Sequence, residues 1–130
     1  MEGMPEARHW LDLAHYDLEV AEDMLRARHF SYVAFLCHLA VEKALKAKVQ
    51  EKTGRTPPKT HDLVALLKLA ELSPPEEIRD FIGKLSGIST AVRYPPDFTA
   101  LRSAYTEEVA RAYLEGARRV VAWIHEQLKP

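Results

Sequence analysis

Between Tyr32 and Val41 the chain carries a single strongly polar side chain, His38. A helix that is apolar on nearly every side has to be enclosed by neighbours or shared at an interface. This segment therefore constrains the fold most, because the rest of the sequence must supply what surrounds it. The helix is expected over residues 30–52. Thr53-Gly54 ends it, and Pro57-Pro58 prevents an early restart. Cys37, Ala40, Ala44 and Ala47 form a stripe of small residues that admits a close neighbour. Charge returns with Glu42, Lys43, Lys46 and Lys48.

The surrounding pieces are helical in pattern too. Leu11, Ala14, Leu18, Ala21 and Leu25 recur at spacings of 3, 4, 3 and 4, one face of a helix placed at about 6–27. Thr60 is the expected N-cap of a short helix carrying Leu63, Leu66, Leu67 and Ala70. Ser73-Pro74-Pro75-Glu76 reads as a capping box opening a fourth helix. Its stripe is Ile78, Phe81, Leu85, Ile88 and Val92, with Gly83 and Gly87 on another face, and Tyr94-Pro95-Pro96 stops it. A loop is expected to about residue 105. Thr106, followed by Glu107 and Glu108, then opens a last helix with Ala110, Tyr113, Ala117, Val120 and Ile124 on its apolar face. Nothing alternates with a period of two. The expected fold is all-α: an antiparallel up-and-down bundle of four long helices plus one short helix, in one domain spanning 1–130.

Charge narrows the function classes. Eighteen Lys and Arg balance nineteen Asp and Glu, for a formal charge of −1. A strongly basic nucleic-acid binder or polybasic membrane binder is disfavoured, although a local patch is not. The lone Cys37 rules out an intrachain disulfide and a cysteine-rich zinc site. Met1-Glu2-Gly3-Met4 is polar and acidic, without a signal-peptide pattern, and no apolar run approaches bilayer length. A cytoplasmic protein is expected. Asn is absent and Gln occurs twice, a depletion of heat-labile amides that points to a thermophilic source.

Three places carry side chains with chemistry. His38, Glu42 and Lys46 are spaced four apart and line one helix face. They form either a polar site at the edge of the core, or a core histidine beside a solvated Glu–Lys pair. His61-Asp62 stands at a helix start, where His61 faces a ligand or serves the cap. Arg93-Tyr94-Pro95-Pro96 holds a guanidinium and an aromatic ring in extended backbone, which suits a phosphate-and-base clamp and equally a helix stop. Cys37 lies in the apolar stretch and reads as an inert core thiol. No metal-ligand motif, phosphate-cradling glycine loop or catalytic serine motif is present, so no cofactor, metal or catalytic residue is assigned.

Read together, Ala34-Phe35-Leu36-Cys37-His38-Leu39-Ala40-Val41-Glu42-Lys43-Ala44-Leu45-Lys46-Ala47, then Pro57-Pro58-Lys59-Thr60-His61-Asp62-Leu63, then Ala91-Val92-Arg93-Tyr94-Pro95, resemble the HEPN family (higher eukaryotes and prokaryotes nucleotide-binding) from about Trp10 to Leu128. The resemblance implies a helical bundle, usually a homodimer or higher homo-oligomer. Such domains are often partnered by a minimal nucleotidyltransferase in toxin–antitoxin-like systems. Many act on RNA, and others bind nucleotides or serve as non-catalytic modules. Members that cut RNA carry an Arg-x4-6-His motif near the start of the last long helix. Here Arg93 is followed by Tyr94, Pro95, Pro96, Asp97, Phe98, Thr99 and Ala100, without His.

The expected function is therefore a non-catalytic HEPN-type module that binds a nucleotide, RNA or a nucleotidyltransferase partner. His38, Glu42, Lys46, His61, Arg93 and Tyr94 are its candidate contacts. A metal-independent ribonuclease using Arg93 with His61 or His38 is the first alternative, and a purely structural dimerisation domain the second.

Overall fold

The computed structural model describes residues 5–129, so the polar start Met1–Met4 lies outside the described residues. Among the described residues seven helices follow one another: α1 (Pro5–Arg26), α2 (Phe30–Thr53), α3 (Leu63–Leu69), α4 (Glu76–Leu85), α5 (Ile88–Arg93), α6 (Phe98–Ala104) and α7 (Glu107–Gln127). No strand occurs among the described residues. The fold is all-α, as the sequence pattern predicts.

Side-chain pairs fix the helix directions. Trp10 Nε1 donates to Gln50 Oε1 at 2.9 Å and Lys43 Nζ pairs with Asp17 at 2.8 Å, so α1 and α2 run antiparallel. Arg28 meets Glu107 at 3.0 Å and Arg118 meets Glu22 at 2.7 Å, so α7 is antiparallel to α1 as well. Lys48 Nζ donates to the Gln127 carbonyl at 2.9 Å, level with the C-terminal end of α2, which makes α7 parallel to α2. The chain between them must therefore return along the bundle. α4 and α5 do this: Glu77 pairs with Arg119, Phe81 packs on Tyr113, and the Arg93 guanidinium lies over the Phe35 ring. Four columns result, up, down, up and down.

The third column differs from expectation. The stripe Ile78 to Val92 predicts one long helix, but the chain breaks at Ser86-Gly87, where Gly87 adopts φ +88°. Left-handed backbone ends a helix, and glycine adopts it without the Cβ penalty. Leu85, Ile88 and Val92 are buried all the same, because both pieces rest on the same core. A second difference is α6, within the expected loop. Asp97 caps it, accepting from the Ala100 amide at 2.7 Å. None of its residues is buried, so it carries no apolar stripe to betray it.

Two caps also move. Asp62, not Thr60, caps α3 by accepting from the Ala65 amide at 3.1 Å, while Thr60 Oγ1 closes the preceding turn on the Asp62 amide. Pro75, not Ser73, occupies the cap of α4, so no capping box forms. Thr106 caps α7 as expected, and Gly54 ends α2 at φ +71° with its amide on the Gln50 carbonyl.

α2 lies at the centre. Val33, Ala34, Cys37, His38, Ala40, Val41, Ala44, Leu45 and Ala47 are wholly inaccessible. Ala14 and Ala21 of α1, equally inaccessible, come from the neighbour that the small-residue stripe admits. The core around Leu45, Leu63, Leu66, Ile82, Leu85 and Ile124 is closed by α3, α4 and α7. No helix among the described residues is long and apolar enough to cross a membrane.

Candidate functional site

Glu42 is the centre of the polar group on α2. Its carboxylate is almost wholly buried, at 4% exposure, and both oxygens are engaged. One turn on, Lys46 Nζ donates to Oε2 at 3.1 Å. Lys46 is itself buried, so this is not the solvated pair of the plain helical reading. A buried carboxylate needs such partners, because desolvating an unpaired charge costs several kcal/mol. The Lys46 ammonium also lies 5.5 Å from the centroid of the Trp10 ring.

His61 comes from the connection between α2 and α3. The Pro57-Pro58 stretch cannot be helical, and the Thr60 turn and Asp62 cap hold His61 between two fixed points. Its Nδ1 lies 2.8 Å from Glu42 Oε1. An ionised carboxylate only accepts, so Nδ1 carries the proton and Nε2 is left for another partner. The imidazole is about half exposed, at 56%. A surface histidine is thus held in one tautomer and one orientation by a buried acid.

His38, one turn before Glu42, is fully buried. Its Nδ1 is 3.8 Å from Glu42 Oε1, too far for a hydrogen bond, and neither ring nitrogen has a partner among the described residues. Burial pushes its pKa below the usual 6.5. The Glu42 carboxylate and the His61 backbone pull upward, while the His61 ring and the Arg93 guanidinium push it further down. His38 is therefore a neutral imidazole at neutral pH. His61 and Arg93 both lie close enough to His38 to act on it.

Arg93, at the end of α5, is exposed and stacks over Phe35 at 5.1 Å. Phe35, His38, Glu42 and Lys46 share one face of α2, so Arg93 marks the far end of the same row. Among the described residues Arg93 has no carboxylate partner. Tyr94 is 76% exposed and has no hydrogen bond or ring contact with this group. The structure thus gathers His38, Glu42, Lys46 and His61, puts Arg93 beside them, and leaves Tyr94 standing in solvent.

Sequence reading missed Trp10, Phe35 and Gln50. Gln50 had a signal: the four-residue spacing of His38, Glu42 and Lys46 continues onto it. Trp10 and Phe35 did not, since an aromatic on an apolar helix face reads as core. Elsewhere, burial pushes the Cys37 thiol up to about 12, which leaves it without thiolate character. No group of three or more metal-ligating side chains gathers among the described residues.

The order of these segments and the bundle that joins them have counterparts. A family model for the HEPN domain matches residues 7–128. The chain belongs to the HEPN family. Solved structures place this HEPN chain among close folds. The crystal structure of TT1696 from Thermus thermophilus superposes with a TM-score of 0.83 at 27% identity, covering 96% of this chain and all of that one. The crystal structure of ST0689, an archaeal HEPN homologue, gives a TM-score of 0.77 at 27% identity, over 97% of this chain and all of that one. Among proteins with curated functions, none matches the sequence of this HEPN chain.

Proposed function

We propose that this HEPN domain is a non-catalytic nucleotide-binding module whose ligand sits across α2, the His61 turn and the end of α5. The observation that carries the reading is the Glu42–His61 contact at 2.8 Å, which holds an imidazole at the surface near an arginine free of acidic partners among the described residues. Arg93 holds a phosphoryl group through paired N–H donors. His61 hydrogen-bonds the ligand through Nε2. Tyr94 offers an exposed ring for a base to stack on. Glu42 and Lys46 position His61 and do not touch the ligand. The same surface serves RNA or a minimal nucleotidyltransferase partner in a toxin–antitoxin-like setting. The domain works as a cytoplasmic homodimer, and its amide-poor composition suits a hot habitat.

Titration of a fluorescent ATP analogue, followed by anisotropy, tests this. Saturable binding is expected, weakened about tenfold or more in Arg93→Ala and in His61→Ala, and less in Tyr94→Ala. Binding that is absent, or indifferent to all three changes, overturns the reading.

The ribonuclease alternative is favoured by one observation, the carboxylate that orients His61, because general acid–base catalysis needs a histidine so held. His38 is too buried to meet RNA. Cleavage of a mixed RNA pool by the purified protein, lost in His61→Ala, would establish this second reading in place of the first.

A further inference from the structure

On another face of the bundle, where α1 meets α7, a crevice of about 270 Å³ is lined by Glu22, Leu25, Arg26, Arg111, Leu114 and Arg118. Three guanidiniums and one carboxylate face it. Carboxylates hold each of these arginines, and one of them, Glu22, itself lines the crevice. Glu22 Oε1 accepts from Arg26 Nη1 at 3.1 Å, and its Oε2 accepts from Arg118 Nη2 at 2.7 Å. Glu107 in turn takes Arg111 through Nε and Nη2, at 3.0 and 2.9 Å, and Arg28 at 3.0 Å. Asp23 adds a second acceptor for Arg26. Four guanidiniums thus stand against three carboxylates. The field shows in Glu107, whose carboxyl Arg111 and Arg28 hold below the usual carboxylate range.

We infer that the α1–α7 crevice binds a small multivalent phosphate anion of the pyrophosphate class. The reasons are donor supply, preorganisation and size. Each guanidinium has five N–H donors in a planar fork, and Arg118 spends one of them on Glu22. Glu107, outside the lining, holds the Arg111 fork through two N–H donors, so less rotamer freedom remains to be lost there on binding. Leu25 and Leu114 supply the apolar part of the lining. At about 270 Å³ the crevice has room for a pyrophosphate group. Glu22 is the one carboxylate in the lining and opposes an anion there. It is about half exposed and can turn into solvent when the anion arrives.

The site is separate from the Arg93 and His61 face, and the test keeps the two apart. Sodium pyrophosphate is titrated into the full chain at low salt, followed residue by residue in amide NMR spectra and by calorimetry. Saturable shifts are expected at residues 22–26 and 111–118. Arg111→Ala with Arg118→Ala should weaken the binding read from those shifts about tenfold or more, and Arg93→Ala should leave the shifts at residues 22–26 and 111–118 unchanged. Glu22→Gln should tighten it several-fold, a gain that a purely structural ion pair would not produce. The Glu22 variant also decides the matter if the double variant fails to fold. Shifts confined to residues 59–62 and 88–94, affinity indifferent to Glu22→Gln, or no saturation at millimolar pyrophosphate would each overturn the inference.

Discussion

Glu42 Oε1 lies 2.8 Å from His61 Nδ1, a contact between the middle of the central helix and a turn that no helix encloses. The same carboxylate holds Lys46, so one buried acid neutralises a buried ammonium and orients a surface imidazole.

Glu42→Ala leaves the Lys46 ammonium buried without its counter-charge. Removing one partner of a buried pair costs about 3–5 kcal/mol, and the urea midpoint should fall accordingly with little change in slope. In a milder variant, Glu42→Gln, nitrogen-15 spectra of His61 should show loss of the single tautomer while the fold persists.

Stability should depend on pH through His38. Its folded-state pKa is lowered below 6.5 by burial, so the unfolded chain binds the proton more tightly. The contribution is complete above about pH 6.5, where neither state is protonated. It declines as pH falls from there towards the folded-state value, by at most about 1.4 kcal/mol per pH unit. Urea midpoints measured across this range should show the decline, and His38→Leu should flatten that part of the profile.

Two glycines four residues apart should respond with opposite signs. Gly87 sits at φ +88° with open space where a methyl group would stand, so Gly87→Ala costs about 1–2 kcal/mol from backbone strain alone. Gly83 is helical and equally unobstructed, so Gly83→Ala should stabilise by about 0.5–1 kcal/mol. Thermal and urea unfolding of the two variants provide the comparison.

Gly116 is needed for a different reason. A Cβ there would overlap the Phe81 ring, which α4 lays across α7. Gly116→Ala should cost about 1–3 kcal/mol through overpacking. Combining it with Phe81→Leu should recover part of the loss, as a double-mutant cycle would measure.

How much of this was legible beforehand depends on the range of the interaction. α1, α2 and α7 were readable because apolar spacing is a local signal and each helix buries a stripe. The break at Ser86-Gly87 was not, since the stripe runs through it without interruption and either geometry satisfies the core. α6 was hidden because it buries nothing. Among the site residues, the row His38, Glu42 and Lys46 follows from helical spacing. Its burial does not, because that depends on α3 and α5 folding over it.

The amino-acid order alone determined that this chain is a helical bundle with an enclosed second helix, since hydrophobic period and chain breakers act over a few residues. It also placed His38, Glu42 and Lys46 on one helix face, by rotation of about a hundred degrees per residue. Only the tertiary structure decided that His61 reaches Glu42, that Arg93 stacks on Phe35 beside them, and that Tyr94 stays apart. Those pairings join segments distant along the chain, and their geometry is set by how whole helices pack, which no local pattern encodes.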